Sequence, residues 1–337
     1  VYNGALGSKT LWELSQKVHS VNETIVSEGR KEFEITWEEA VKTKNEAIFD
    51  RKFQYSCHLQ LLQNETLRKV FTYERGFGTM LDPTHVKIVK DDEEKIVETK
   101  YILISTGSRP RVLPNIDVDG TTIMTSDHIH HVDDYPKSMV IVGAGVIGCE
   151  YATIFTNFGK TKVYLIDRAD QVLPFEDDDV SEIVSNNLQR RGCVLHQNAQ
   201  LERLEKVEGE IEYELSYPDG RREVIRVEKA LLAIGRVPNI EGIGMEAAGV
   251  SMSKRGRHIG DDDTQTNIPN IFVAGDASGR IALVNMGELE ARHAVERMFG
   301  GKHERLSYDN VSTIMFLQPE VASVGLNEKQ AKEAGIN

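Results

Sequence analysis

A glycine pattern near the middle of the chain constrains its fold more than any other feature. Gly143, Gly145 and Gly148 form G-x-G-x-x-G directly after the apolar run "SMVIV" and before a helical pattern, and Asp167 follows the next apolar run, "KVYLI". In a dinucleotide-binding βαβ unit, the first glycine allows a tight turn, the second lets a pyrophosphate approach, and the third lets helix and strand pack closely. We therefore expect an α/β fold with a dinucleotide phosphate at the amino end of this helix.

The acid after the second strand bears on which dinucleotide binds. The Asp167 carboxylate can accept hydrogen bonds from both ribose hydroxyls and repels a 2′-phosphate, which favours NAD over NADP. Arg168 stands next to it and either offsets that repulsion or is a solvated surface residue. We expect NADH to bind more tightly than NADPH.

Composition excludes several other classes of protein. The 337 residues exceed one ordinary core, so two or three domains are expected. No apolar run approaches the roughly 18 residues of a membrane span, and the net charge of −13 argues against a nucleic-acid or anionic-membrane partner. Cys57, Cys149 and Cys193 are scattered, which suits a reducing, cytoplasmic location and offers no C-x-x-C pair.

Hydrophobic periodicity divides the chain into regions of different structure. Residues 8–65 have a helical pattern, and residues 69–106 have the pattern of short strands joined by turns. The sequence Pro218-Asp219-Gly220 indicates a hairpin turn. The other predicted elements are a helix in "DDDVSEIVSNNLQRRG", a strand in "NIFVAGD", a helix through 288–298 and a new sheet beginning in "STIMFLQPEVASVG".

The stretch "NGALGSKT" resembles a phosphate-binding P-loop but does not have its spacing. A P-loop requires G-x-x-x-x-G-K-[ST], whereas two residues separate Gly4 from Gly7, and Ser8 intervenes before Lys9. An ordinary helix start explains the stretch better, because apolar residues at helical spacing follow from Leu11. We expect Ser8 to cap that helix. The histidines of "DHIHHVDD" (His128, His130, His131) match no zinc-ligand spacing, so no metal site is expected.

Four further motifs accompany the glycine pattern: "ILISTGSRP", "LLAIGRVPN", "TNIPNIFVAGD" and "QPEVASVGLNEKQAKEAG". In this order they resemble the flavin-dependent pyridine nucleotide–disulfide oxidoreductases (class I), above all the soluble transhydrogenase and dihydrolipoamide dehydrogenase branches. The resemblance implies two Rossmann-like (three-layer ββα) dinucleotide-binding domains, the NAD domain inserted in the FAD domain, and the start of an α+β dimerisation domain. The implied domains are FAD-binding (1–117), NAD(P)-binding (118–243), a returning FAD-binding segment (244–308) and a truncated interface domain (309–337).

The resemblance also assigns cofactor contacts to particular residues. For FAD these are Lys9, Gly78, Ser105, Thr106, Gly107, Asp276 and Leu283. For NAD(P) they are Gly143, Gly145, Val146, Ile147, Gly148, Glu150, Asp167, Arg168 and Gly235. Lys9 and Glu150 would form the catalytic pair beside the flavin N5 and the nicotinamide. The plainer alternatives are two unrelated surface charges for this pair, a strand-turn glycine for Gly78, and a turn or helix-cap aspartate for Asp276.

The redox centre departs from the pattern that the resemblance implies. The family carries C-x-x-x-x-C-x-P-S-K beside the flavin, and alignment on Ser8-Lys9 puts Ala5 at the second cysteine and Gly7 at the proline. A redox disulfide needs two sulfurs, so it cannot form here. Family members without this disulfide pass hydride between nicotinamide nucleotides through FAD. We therefore expect a transhydrogenase-like FAD-dependent NAD(P) oxidoreductase.

Two departures leave alternatives open. Gly7 replaces a proline that transhydrogenases generally keep, and Asp167 is less permissive toward NADPH than a dual-specificity site requires. The alternatives are a diverged dihydrolipoamide dehydrogenase-type enzyme with another acceptor, such as a quinone, and a non-catalytic nucleotide-binding flavoprotein. The resemblance further implies that the chain is a fragment of a homodimeric parent. Its upstream glycine loop and its C-terminal catalytic histidine would lie outside the sequence, so FAD binding by the fragment stays open.

Overall fold

The computed structural model describes residues 5–63, 71–252, 259, 264–300 and 305–336. In chain order the elements are α1 (Gly7–Ser27), α2 (Trp37–Leu62), β1 (Phe77–Met80), β2 (His85–Lys90), β3 (Glu93–Glu98), β4 (Ile102–Ile104), β5 (Ser108–Pro110), β6 (Ile123–Thr125), β7 (Ser138–Val142), α3 (Val146–Phe158), β8 (Lys162–Ile166), α4 (Asp178–Arg190), β9 (Val194–His196), β10 (Gln200–Val207), β11 (Glu210–Ser216), β12 (Arg222–Val227), β13 (Lys229–Leu232), β14 (Arg236–Pro238), β15 (Ile271–Val273), α5 (Val284–Met298), β16 (Thr313–Met315), β17 (Val321–Ser323) and α6 (Glu328–Glu333). Short 3₁₀ helices cover Ser126–His131 and Gly275–Ser278.

The chain forms two compact units. Unit 1 contains Val1–Gln54, Pro110–Gly235 and Ser312–Asn337, and unit 2 contains Tyr55–Arg109 and Arg236–Val311. The units reflect packing within the chain, whereas the domain bounds predicted above rest on cofactor assignment, so those bounds stay a prediction.

Unit 1 is built on a parallel five-stranded sheet with the strand order β6-β13-β7-β8-β9. Strand β7 is apolar and buried from Met139 to Val142 because both faces of a parallel sheet are covered. Helix α3 packs in the core on one face, and the antiparallel sheet β10-β11-β12 packs on the other. The predicted hairpin at Pro218–Gly220 joins β11 to β12, and β16 pairs with β17 as an antiparallel pair.

Helix α1 shows one difference from the sequence prediction. Its buried residues include Leu11, Ser15 and Val18, which recur at helical spacing. Ser8 is not the cap. The preceding Leu6 already has helical dihedral angles, so Ser8 lies inside the helix and its hydroxyl donates backwards to the Ala5 carbonyl at 3.5 Å.

Unit 2 has a smaller core around two parallel neighbours, β4 and β15. Ile104, Ile271 and Val273 are buried there, and the antiparallel sheet β1-β2-β3 belongs to the same unit. Of the strand predicted to begin at Lys69, the described residues form Phe77–Met80, and residues 64–70 lie outside the described part. The predicted α/β class is confirmed, with Rossmann-like parallel sheets. Within the described residues, no helix combines the length and the apolar character needed to cross a bilayer.

Candidate functional site

The glycine loop between β7 and α3 has three distinct environments. Gly143 has φ +103°, and a Cβ there would lie 2.6 Å from the Ala233 carbonyl oxygen. A Cβ on Gly148 would lie 1.8 Å from the Gly143 carbonyl oxygen, so helix and loop touch at that point. At Gly145, by contrast, no described atom lies within 4 Å of the added Cβ. The loop therefore keeps open space where a pyrophosphate would approach, directly at the start of α3.

Asp167 holds the backbone of this loop by a hydrogen bond. Its Oδ2 accepts the Ala144 N–H at 2.6 Å and its Oδ1 accepts the Ala169 N–H at 2.9 Å. A carboxylate has about four lone-pair positions, so acceptor capacity remains for ribose hydroxyls. Arg168 is exposed beside it. Val146 and Ile147 form the first turn of α3, and Gly235, with φ +100°, has open space around its Cβ position.

The structure brings Lys9 and Glu150 together although they are 141 positions apart. The Lys9 Nζ donates to both carboxylate oxygens of Glu150, at 2.7 and 2.6 Å. The Glu150 side chain is 5% exposed and that of Lys9 is 32% exposed. This ion pair excludes the alternative in which the two are unrelated surface charges. A buried carboxylate needs such a partner, because an uncompensated charge is costly.

Phe316 completes this group, and sequence reasoning missed it. Its backbone N–H donates to Glu150 Oε1 at 3.2 Å, and its ring centroid lies 4.8 Å from the Lys9 Nζ. The Trp12 ring packs edge-on against it, with centroids 5.2 Å apart. The Leu317 carbonyl accepts the Trp12 indole N–H at 3.2 Å. The sequence showed only that a sheet begins in this region, and no local pattern indicates a contact with α1 and α3.

The two buried cysteines have environments unlike those of redox thiols. Cys149 is buried in α3 and its Sγ donates to the Ala144 carbonyl at 3.3 Å. Burial raises the pKa of the Cys149 thiol and raises the pKa of Cys193 to about 12. Cys57 is half-buried in α2, and all three are free. Because the thiolate is the reactive form, the two buried cysteines are structural.

Unit 2 carries the residues predicted to hold the flavin. Ser105, Thr106 and Gly107 follow β4, and Asp276 follows β15. Since these strands are parallel neighbours, both segments lie at the same edge of the sheet. Asp276 Oδ2 accepts the Ser108 hydroxyl at 2.6 Å. Gly107, with φ +73°, has no described atom within 4 Å of its Cβ position.

The turn that presents Asp276 is held from α5. The Gly275 N–H donates to Glu290 Oε2 at 2.6 Å, and the Tyr308 hydroxyl donates to Glu290 Oε1 at 2.9 Å. Burial raises the pKa of Glu290. Leu283 lies half-buried just before α5. The flavin contacts predicted for Asp276 and Leu283 stay predictions, and no sequence pattern indicated Glu290.

Two other predicted features remain apart from this geometry. Gly78 lies in β1, and a Cβ there would meet only Val86, at 3.8 Å, so the structure gives no steric reason for glycine. His130 and His131 pack against each other with ring centroids 4.1 Å apart. The described part of the chain contains no group of three or more side chains arranged to hold a metal ion.

These donor and acceptor sets fit a dinucleotide and a flavin. The open Gly145 loop and the remaining Asp167 acceptors suit a pyrophosphate and a ribose. The Asp276 carboxylate at a strand end suits ribityl hydroxyls. Together, the parallel sheet and the glycine loop define a dinucleotide-binding βαβ unit, whose helix α3 also carries the Glu150 partner of the Lys9–Glu150 ion pair.

The chain belongs to the pyridine nucleotide-disulphide oxidoreductase family, whose sequence profile matches residues 1–291. It is 32% identical over 310 residues to a dihydrolipoyl dehydrogenase of Bacillus subtilis, covering 89% of this chain and 64% of the relative. A dihydrolipoyl dehydrogenase of Zymomonas mobilis is 34% identical over 248 residues, covering 73% of this chain and 53% of the relative. The chain thus spans about half to two thirds of the length of these relatives.

Solved structures share the fold. LpdA from Mycobacterium tuberculosis superposes with a TM-score of 0.83 at 24% identity, covering 98% of this chain and 70% of LpdA. The HOCl-induced flavoprotein disulfide reductase RclA from Escherichia coli gives a TM-score of 0.82 at 23% identity, covering 99% of this chain and 70% of RclA. Proteins of this family use FAD and NAD(P) as cofactors.

Proposed function

We propose that the protein is an FAD-dependent oxidoreductase that passes hydride from one nicotinamide nucleotide to another without a redox disulfide. The observation that carries this proposal is the Lys9–Glu150 ion pair. The pair is present although Ala5, which has no sulfur, stands at the second cysteine position. Dihydrolipoyl dehydrogenases and disulfide reductases are similar to this chain, but a dithiol reaction needs two adjacent sulfurs.

The residues of the chain supply binding, orientation and charge. Bound FAD would supply the hydride-accepting and hydride-donating chemistry. Gly143, Gly145 and Gly148 would place a nucleotide pyrophosphate at the start of α3. Asp167, at the end of β8, would bind the ribose and disfavour a 2′-phosphate.

Lys9 and Glu150 would fix the charge distribution beside the reacting rings. The Lys9 ammonium is held at 2.6–2.7 Å from the carboxylate, so its position is set before any nucleotide arrives. The Phe316 ring lies 4.8 Å from the Lys9 Nζ and its N–H donates to Glu150, so one side of this pair packs against protein.

Rapid-mixing absorbance of the full-length protein loaded with FAD tests this function. We expect NADPH or NADH to bleach the flavin band, and the thionicotinamide analogue of NAD⁺ to restore it at a rate compatible with turnover. Bleaching without reoxidation by the analogue would overturn the transhydrogenase proposal. Absence of bleaching by either nucleotide would instead support a non-catalytic flavoprotein.

A second candidate is a dihydrolipoyl dehydrogenase-type enzyme with another acceptor. Asp167 favours it, since a carboxylate beside the ribose makes NADPH a poor partner and limits exchange between the two nucleotide pools. In the same rapid-mixing experiment, reoxidation by a soluble quinone but not by the NAD⁺ analogue would identify this activity.

The assembly and location of the full-length protein are further parts of the proposal. The family resemblance supports a homodimer, and the acidic net charge of −13 is in keeping with a cytoplasmic enzyme without nucleic-acid or membrane partners. Light scattering coupled to size exclusion measures the first point directly: a mass of one protomer at micromolar concentration would contradict it.

A further inference from the structure

A chain of hydrogen bonds in unit 2 leads to Asp276, the acid proposed to bind the flavin ribityl chain. The Ser108 hydroxyl donates to Asp276 Oδ2 at 2.6 Å. The Arg236 Nε donates to the same hydroxyl oxygen at 2.8 Å, and a terminal guanidinium nitrogen of Arg236 donates to the Ser108 carbonyl at 2.8 Å. Arg236 thus holds Ser108 by its side chain and by its backbone.

The direction of these bonds is fixed by chemistry. A guanidinium only donates, so the Ser108 oxygen must accept from Arg236 and use its single proton toward the carboxylate. A hydroxyl polarised by a cation is a stronger donor to an anion than an isolated hydroxyl. The hydroxyl proton of Ser108 is therefore directed at Asp276 Oδ2, and this bond favours one orientation of the carboxylate.

The backbone on both sides of this group is also fixed. Strands β5 and β14, which contain Ser108 and Arg236, pair as a two-stranded sheet. The Gly275 N–H is held by Glu290 at 2.6 Å, which sets the turn that precedes Asp276. Within the described residues, Oδ1 of Asp276 accepts no protein hydrogen bond, whereas Oδ2 is occupied by Ser108.

We infer that Ser108 and Arg236 are positioning residues that hold the Asp276 carboxylate with one oxygen presented to a flavin ribityl hydroxyl. The inference rests on the proposed function, in which Asp276 binds FAD. The chemical group recognised is a vicinal hydroxyl, which can donate to the Asp276 oxygen that accepts no hydrogen bond from the described residues.

Flavin affinity of the full-length apoprotein tests the inference, measured as FAD fluorescence quenching on titration. We expect Ser108→Ala to weaken FAD binding about tenfold, because the charge-assisted bond to Asp276 is lost. Ser108→Thr keeps the hydroxyl and is expected to restore affinity to within about threefold. The control Ser307→Ala removes an exposed serine that donates to Asp309 at 3.2 Å, and it should leave FAD affinity unchanged.

A double-mutant cycle separates positioning from general damage. If Ser108 acts through Asp276, then Ser108→Ala should have little effect in an Asp276→Asn background, and Arg236→Gln should show the same dependence. Equal weakening in both backgrounds, or no weakening in either, would overturn the inference. If Asp276→Asn itself binds FAD normally, the flavin role of Asp276 fails instead, so the two failures are distinguishable.

The conservative variant guards against a folding artefact. Should Ser108→Ala fail to fold, Arg236→Lys keeps the positive charge but loses the two-point contact, and circular dichroism reports whether its fold is intact. A folded Arg236→Lys protein with wild-type FAD affinity would count against the positioning role.

Discussion

At the scale of single residues, the site depends on how one buried carboxylate is compensated. Glu150 accepts two hydrogen bonds from Lys9 and one from the Phe316 N–H. Every one of these contacts comes from a group with positive charge or a positive dipole end, so each of them compensates the negative charge of the carboxylate. Removing the Lys9 ammonium therefore changes both the charge at the site and the hydrogen bonds that hold Glu150.

Lys9→Met tests the role of the Lys9 positive charge in flavin reduction and in stability. We expect flavin reduction by NADH to slow at least about tenfold, and the fold to lose about 1–3 kcal/mol because the Glu150 carboxylate loses its cation. Stopped-flow absorbance and urea unfolding measure the two effects. Lys17→Met is the control, since Lys17 is an exposed lysine of the same helix. An unchanged reduction rate in Lys9→Met would remove Lys9 from the mechanism.

Asp167→Asn tests nucleotide preference. The amide can still accept one of the two backbone N–H groups but no longer carries the charge that repels a 2′-phosphate. We expect the preference for NADH over NADPH to shrink about tenfold. Isothermal titration with both nucleotides measures this ratio, and Asp170→Asn, an exposed neighbour, is the control. A wild-type protein that binds NADPH more tightly would contradict the prediction.

At the scale of elements, the glycine loop shows how far local sequence predicts structure. The order strand, loop, helix and strand follows from glycine spacing and apolar periodicity, and the structure has it at β7, α3 and β8. The start of α1 was harder to predict, because Ser8 has the right residue type for a cap but the helical turn begins before it. Side-chain type alone does not locate a helix end.

Gly145→Ala and Gly148→Ala form a matched pair. The new methyl group at Gly148 would overlap the Gly143 carbonyl, so we expect a loss of several kcal/mol or a failure to fold. At Gly145 the methyl group enters open space, so we expect normal stability but NAD(P)H binding at least tenfold weaker, about 1.4 kcal/mol. Thermal unfolding and nucleotide titration separate the two. Equal stability for both variants would contradict the assigned packing roles.

His196 gives the sheet contact between β9 and the β11–β12 hairpin a pH dependence. Its Nδ1 lies 2.6 Å from the Tyr217 hydroxyl and 3.6 Å from a Glu223 oxygen. Burial lowers the pKa of His196, the nearby Arg221 charge lowers it further, and Glu223 opposes them. The fold therefore prefers the neutral ring, and the stability from this group is present above the unfolded pKa of about 6.5 and is lost as pH falls through the folded pKa.

His196→Gln should weaken that dependence. We expect the melting temperature of the wild type to fall more between pH 7.5 and pH 5 than that of the variant. His58→Gln, at an exposed position of α2, serves as the control. Parallel pH profiles for wild type and His196→Gln would show that this ring does not carry the effect.

At the scale of the whole molecule, unit 1 is assembled from three separate stretches of chain. Trp37 joins two of them: it is 1% exposed, its indole N–H donates to the Val132 carbonyl at 2.6 Å, and it stacks on Phe155 at 5.6 Å. Periodicity predicts that such residues are apolar and helical, but it cannot predict which distant stretch they meet. The Lys9–Glu150 pair was predictable through resemblance, whereas Phe316 and Ser108 were not.

Trp37→Phe tests how much the contacts of Trp37 with Val132 and Phe155 contribute to stability. The smaller ring leaves the Val132 carbonyl without its donor and opens a small cavity, so we expect a loss of about 1–3 kcal/mol. Urea unfolding followed by circular dichroism measures it. Trp12→Phe is a useful comparison. Because Trp12 is only partly buried, we expect this substitution to lower the free energy of unfolding by less. An equal or smaller loss at Trp37 would contradict its assigned place in the core.

The cover that Phe316 places over Lys9 and Glu150 sets an order of events during synthesis. A ribosome adding about 5–20 residues per second needs roughly 8 to 33 s to extend the chain from Glu150 to Phe316. For that interval the nascent chain can form the ion pair but lacks the N–H and the ring that close it. Maturation of the site is therefore a late step in synthesis, because the third hydrogen bond to Glu150 can form only after residue 316 has been added.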